Sequence, residues 1–231
     1  MTGRCSRGGR ATLRLPPRWR SGAYPRGLFA AASDCGPIDA GLVRGCVRAG
    51  VRRRARQALK ICIVSDSHDR ADPLLAAAQA AARAGASALV HCGDVIGANT
   101  LRPLDALGAL GMAVHVVHGN NLGDALALAR MAEASGGWLH YHGGEAELTL
   151  AGRRVYVTHY PHQAQGMACT ADYDLVCCGH THVAALVQQP NIRGQRTWLV
   201  NPGTVAGIGG PPTWVLGDLE RMSFETCTLP S

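Results

Sequence analysis

Asp66 and His68 stand two residues apart, directly after the apolar run 60–64. In extended chain such a spacing points a carboxylate and an imidazole the same way. His180 and His182 repeat the spacing after the run 174–178. Asp94 follows Gly93, Asn120 follows Gly119, and His159 follows Thr158, each again at the end of an apolar stretch. Two aspartates, one asparagine and four histidines make a mixed oxygen and nitrogen donor set. Such a set suits Mn²⁺, Fe, Ni²⁺ or Zn²⁺ better than Ca²⁺ or Mg²⁺, with Mn²⁺ first in this reading. A carboxylate such as that of Asp94 can bridge two cations, and an amide oxygen adds a ligand without adding charge. With one bridging group, seven side chains supply four contacts to each of two ions and leave room for water. Taken singly each piece is ordinary. A lone histidine in a strand is more often a core or surface residue than a ligand, and Gly-Asp or Gly-Asn reads as a turn. The weight lies in five such pieces in order, each at a strand end.

The elements that must carry these residues follow from periodicity. Short β-branched runs at 60–64, 88–91 and 113–117 read as strands. Between and after them, the stretches 72–84, 99–110 and 124–134 read as helices, the first with Pro73 at an early helical position and Gly85 as its stop. Strand and helix in alternation predict parallel pairing. From 145 onward the chain turns to strands, at 145–150, 153–158, 174–178, 183–188, 196–200, 213–216 and 222–228, with a short helix near 163–169. Ala151-Gly152 is a two-residue hairpin signal. The expected fold is α/β, with two packed sheets and helices outside. Ligands in α/β sheets gather beyond strand ends, so the seven groups are expected along one edge of the sheets.

Asp66-x-His68, Gly93-Asp94, Gly119-Asn120, His159 and Gly179-His180-Thr181-His182 together resemble the signature of the calcineurin-like metallophosphoesterases, in their small bacterial and archaeal phosphodiesterase branch. The resemblance covers residues 59–231. It implies a two-sheet β-sandwich flanked by helices in four layers. It also implies a first metal held by Asp66, His68, Asp94 and His182, and a second by Asp94, Asn120, His159 and His180. The implied reaction is hydrolysis of a small phosphate ester by a hydroxide bridging the two ions. Many relatives carry histidine directly after Gly-Asn, where it can protonate the leaving oxygen. This chain has Asn121, which donates a hydrogen bond but is no acid. Asn121, His162 and His118 are therefore the candidates for contact with substrate or leaving group. Tyr160 and Asp69 stand where glycine is frequent, and the arginine often found after Asn201-Pro202-Gly203-Thr204 is missing from 208–213. The rival readings are a non-catalytic interaction scaffold on the same fold, or a nuclease.

Composition narrows the remaining classes. The chain has 231 residues, 47% hydrophobic and 17% charged, with a formal charge of +7. That charge is lopsided: residues 1–58 hold 13 arginines against Asp34 and Asp39, whereas 59–231 hold ten basic and 14 acidic side chains. Nucleic-acid binding is therefore expected only through the basic N-terminal segment. That segment, rich in Arg, Gly and Pro, has too little apolar periodicity to offset its ordering entropy. It reads as unstructured or as sequence ahead of a later true start, with a transit peptide as a further option. Lys60 is the sole lysine, so no P-loop is present. None of the nine cysteines forms a C-x-x-C pair. Several lie in apolar runs, which fits reduced, buried thiols and a cytoplasmic location. No stretch is long and apolar enough for a membrane span, and no membrane partner is expected. Oligomeric state is not legible.

Overall fold

The computed structural model describes residues 60–230. The expectations attached to the arginine-rich segment fall outside these residues.

Strand β1 (Lys60–Val64) is buried on both faces, which is why it reads as an unbroken apolar run. Cys62 and Val64 point to a helix-covered core, and Ile61 and Ile63 to the core between the two sheets. Helix α1 (Ala71–Arg83) buries Leu74, Ala77, Ala78 and Ala81, the spacing of one helical face. Strand β2 (Ala86–His91) follows. The expected helix over 99–110 divides. Ala98–Leu104 is a 3₁₀ helix and only Asp105–Ala109, α2, is α-helical. Pro103 inside the first piece has no N–H to donate and interrupts α-helical bonding. Strand β3 (Ala113–Val116) leads to helix α3 (Ala125–Ala134), whose N-cap Asp124 accepts the Ala127 N–H at 2.9 Å. Strand β4 (Leu139–Tyr141) is an addition to the expected elements; three residues, two of them polar, carry no readable period.

The remainder follows the expected pattern. Strands β5 (Glu145–Leu150) and β6 (Arg153–Thr158) form a hairpin whose turn residues, Ala151 and Gly152, both have positive φ, 51° and 78°. Helix α4 (Pro161–Cys169) starts on Pro161. Then come β7 (Leu175–Cys177), β8 (Ala184–Pro190), β9 (Arg196–Pro202), β10 (Thr213–Asp218) and β11 (Ser223–Thr228).

Two sheets result, ordered β11-β10-β1-β2-β3-β4 and β5-β6-β7-β9-β8. Ile61, Ile63, Val90, Val157, Leu175 and Val200 meet between them. Helices α1 and α3 cover the outer face of the first sheet, and α4 that of the second. This is the four-layer α/β sandwich. Within the first sheet β1 to β4 run parallel, as do β6, β7 and β9 in the second. The carboxyl ends of β1, β2, β3, β6 and β7 deliver Asp66, Asp94, Asn120, His159 and His180. Among the described residues no helix is long and apolar enough to cross a membrane.

Candidate metal centre

The seven candidate ligands form one continuous network. His182 Nε2 lies 3.2 Å from His68 Nε2 and 3.2 Å from Asp66 Oδ1. His68 Nε2 is 3.8 Å from Asp94 Oδ2, while the other oxygen of Asp94 is 3.4 Å from His159 Nε2. Asn120 Oδ1 then stands 3.0 Å from His159 Nε2 and 2.9 Å from His180 Nδ1. Asp94 thus faces both halves of the network with different oxygens.

Backbone carbonyls fix the orientation of two of the imidazoles. His159 Nδ1 meets the Cys92 carbonyl at 2.9 Å and His182 Nδ1 meets that of Ile208 at 2.6 Å. A carbonyl can only accept, so Nδ1 carries the proton in both rings and, in the neutral ring, Nε2 turns a lone pair into the network. Carboxylate oxygens, an amide oxygen and imidazole lone pairs then face one another at 3.0–3.4 Å. Asp66 Oδ1 is buried and makes no hydrogen bond, despite its nearness to His182. A buried carboxylate oxygen without a partner costs on the order of 1–3 kcal/mol or more. Positive charge placed among these acceptors removes that cost, so the residues present fit divalent cations. The groups Asp66, His68, His182 and Asp66, Asp94, His159 each bring one donor atom within 4.8 Å of the others.

The chain is bent to make this possible. Asp66, His68, Asp94, His180 and His182 all have positive φ, from 43° to 73°. Non-glycine residues rarely adopt this region, and strain of this kind concentrates at functional sites. Cross-loop bonds hold it: Asp66 N–H to Gly93 O at 3.0 Å, His68 N–H to Asp94 O at 3.0 Å, and His180 N–H to Asp66 Oδ2 at 3.1 Å. Two glycines permit the close approach. A Cβ on Gly119 would collide with Asp94 Oδ1 and the His159 ring, and one on Gly179 with Ser65 Oγ.

Several supporting residues carry no metal-ligand signal in the sequence. His91 is fully buried, and burial, with the neighbouring His159 adding to it, pushes its pKa down to about 3. The neutral ring accepts the Gly93 N–H at Nδ1, 3.3 Å, so its Nε2–H donates to Ser67 Oγ at 3.0 Å, joining the Asp66 and Asp94 loops. Asn201 donates to Gly179 O at 2.8 Å, and Thr204 donates to Asp66 O at 3.0 Å. Asp69 accepts from Gly97 N–H at 2.7 Å and Thr100 Oγ1–H at 2.8 Å. Such roles depend on loops meeting in space, which periodicity does not reveal.

The three candidates for substrate contact lie differently. Asn121 donates from its backbone to Asp94 Oδ1 and from its amide to Asp94 Oδ2, at 2.9 and 2.6 Å. His118 Nδ1 is bonded to Tyr141 Oη at 2.7 Å. His162 is exposed on α4, its ring 6.0 Å from that of Tyr160, which in turn is 5.7 Å from the His180 ring. A cleft of about 670 Å³ on the helical side, lined by Arg102, Asp124, Arg130 and Trp138, contains none of the seven ligands.

Comparison with known proteins bears on the family and the fold. The chain is 26% identical over 180 residues to phosphodiesterase MJ0936 of Methanocaldococcus jannaschii, spanning 74% of this chain and 99% of that one. A solved archaeal phosphodiesterase has a TM-score of 0.65 at 22% identity, over 74% of this chain and all of the other. A protein of Thermus thermophilus has a TM-score of 0.55 at 14% identity, over 74% and 99%. These two likenesses establish the four-layer fold. The model of the calcineurin-like phosphoesterase superfamily domain matches residues 59–222, a span containing all seven clustered side chains, and the chain belongs to that superfamily.

Proposed function

We propose that this chain is a phosphodiesterase dependent on two divalent cations. Asp66, His68, Asp94 and His182 hold the first ion, and Asp94, Asn120, His159 and His180 the second. The observation that carries the reading is the buried, unpartnered Asp66 Oδ1 facing the Nε2 lone pair of His182 at 3.2 Å. The ions supply a water of lowered pKa and neutralise charge on the phosphoryl oxygens. The protein's own part is orientation. The Cys92 and Ile208 carbonyls aim two imidazoles, and Asn121 clamps Asp94. Tyr160 stands beside His159 and His180 as a wall toward substrate, with ring separations of 5.4 and 5.7 Å.

Mn²⁺ is the proposed metal, ahead of Fe, Ni²⁺ and Zn²⁺, on the basis of the mixed nitrogen and oxygen donors. A diester is proposed because MJ0936 is a phosphodiesterase. A good leaving group is proposed because Asn121 is no acid. Where the leaving oxygen does need a proton or a hydrogen bond, His162 and His118 are the side chains proposed to meet it. Cys62, Cys92 and Cys177 are buried as free thiols, which supports a reducing, cytoplasmic setting. The test is to strip the full chain with chelator, reload it with Mn²⁺, and assay aryl phosphodiesters beside phosphomonoesters. Cleavage restored by Mn²⁺ and abolished in a folded Asp94→Ala variant is expected. A reloaded protein that retains no transition metal and cleaves neither class would overturn the proposal.

A further inference from the structure

Among the described residues the two sheets end in four edge strands, β4 and β11 on the first and β5 and β8 on the second. An open edge presents unpaired backbone N–H and C=O groups, and natural sheets blunt such edges with brevity or charge. Three of the four are blunted. β4 has three residues, β5 carries Glu145 and Glu147, and β11 carries Glu225. β8 is seven residues long, Ala-Ala-Leu-Val-Gln-Gln-Pro, without a charged side chain, and Pro190 interrupts it only at its far end. Leu186 packs toward the core between the sheets. Ala185 and Val187 therefore project from the other face; both are exposed, Val187 by 44%, and Val183 just ahead of the strand by 65%.

The register shows which backbone groups are open. Cys178 N–H donates to Val200 O at 2.9 Å and Trp198 N–H to Asp174 O at 3.2 Å, so Val200 and Trp198 turn their backbone to the β7 side. Leu186 and Gln188 lie opposite them. Such pairs in an antiparallel ladder exchange no hydrogen bonds. Leu186 and Gln188, with Ala184 in the same phase, thus aim their N–H and C=O groups out of the sheet edge. The Gln188 carbonyl takes Arg196 Nη1 at 3.1 Å and keeps a second lone pair.

We propose that β8 pairs antiparallel with β8 of a second copy of this chain, about a two-fold axis at Leu186, so that two five-stranded sheets become one continuous sheet. On that axis the two Leu186 residues exchange both of their hydrogen bonds, and Ala184 of each copy meets Gln188 of the other. Every outward donor then finds an outward acceptor, which is why the occupant is a second copy and not a foreign strand. On the exposed face Val187 of each copy falls against Ala185 of the other, an apolar cross-strand pair made twice. No charge enters the seam, whereas β5 or β11 paired with itself would line up glutamates of both copies.

The test is sedimentation equilibrium of the full chain across the micromolar range, with circular dichroism to check the fold of each variant. Wild type should pass from one chain mass to two as concentration rises. Gln188→Pro removes an outward N–H that makes no bond within the chain, and an edge strand tolerates proline at such a position. It should stay at one chain mass. Val187→Lys, at an exposed position, should do the same by setting an ammonium in the apolar pair. Adding Ala185→Glu to Val187→Lys should bring the dimer back, because the antiparallel register sets each introduced ammonium against the introduced carboxylate of the other copy. A wild type at one chain mass throughout, or a dimer that survives both single substitutions, would overturn the proposal. A folded double variant that stays monomeric would overturn the register at Leu186. The measurement reads mass alone, so its outcome is independent of the metal centre.

Discussion

Asn121 grips Asp94 at both oxygens, through its backbone N–H at 2.9 Å and its side-chain amide at 2.6 Å. The residue thereby becomes a support for the proposed bridging carboxylate. Removing a group that orients a ligand typically costs 10–100-fold in metal affinity or activity. Asn121→Ala should therefore weaken Mn²⁺ retention by about tenfold or more, read by titrating metal into stripped protein. Asn121→His should instead flatten the dependence of rate on leaving-group pKa across aryl diesters. An unchanged slope would remove the leaving-group argument while leaving the clamp intact.

Asp66 predicts a conflict between stability and function. Its Oδ1 is buried without a hydrogen bond, 3.2 Å from His182 Nε2. In Asp66→Asn an amide N–H at that position donates to the imidazole lone pair and a buried charge disappears. The metal-free protein should gain about 1 kcal/mol, a rise in Tm of about 2–4 °C for a domain of this size. Mn²⁺ should raise the Tm of wild type, by mass action on the folded state, and fail to raise that of the variant. A metal-free variant less stable than wild type would contradict this account.

What the sequence made legible, and what it hid, divides along physical lines. Strand ends carrying Asp66, Asp94, Asn120, His159 and His180 were readable because buried parallel strands are continuous apolar runs that stop at polar residues. The hairpin at Ala151-Gly152 was readable because turn chemistry is local. The division of the 99–110 helix turns on how one proline is accommodated in its setting. Strand β4 was hidden because three residues carry no period, and with it went the register that sets His140 beside His115. The positive φ values of Asp66, His68, Asp94, His180 and His182, and the grip of Asn121 on Asp94, arise where loops from different strands meet. No local pattern encodes them.

Gly179 should tolerate no side chain. A Cβ there would meet Ser65 Oγ and come within 2.8 Å of Asp66 Oδ2 and 2.9 Å of Ser65 Cβ. These atoms are buried, so Asp66 must move. A displacement of about 1 Å at a reacting centre costs on the order of 100-fold in rate. Gly179→Ala should lose about that much, with stability lowered by about 1–3 kcal/mol from overpacking. Gly166 in α4 is the control: nothing lies within 4 Å of a Cβ there. Gly166→Ala should stabilise by about 0.5–1 kcal/mol with activity unchanged. Equal effects from both alanines would show that packing against Asp66 is not the cause.

The histidine stack on β3 and β4 predicts the direction of acid destabilisation in the metal-free protein. Burial, followed by the His142 and His140 rings, lowers the His115 pKa from 6.5 to about 4, and His142 is lowered by burial and His140. Between those values the unfolded chain binds a proton that folded His115 refuses. Folding stability therefore rises with pH across this window. The contribution is fully present above 6.5 and lost as pH falls toward 4. His115→Gln removes the titrating group and should flatten the slope over that window. Urea midpoints in chelator at pH values spanning it, for wild type and variant, measure the difference. Parallel slopes would mean that His115 is protonated in the folded protein as readily as in the unfolded chain.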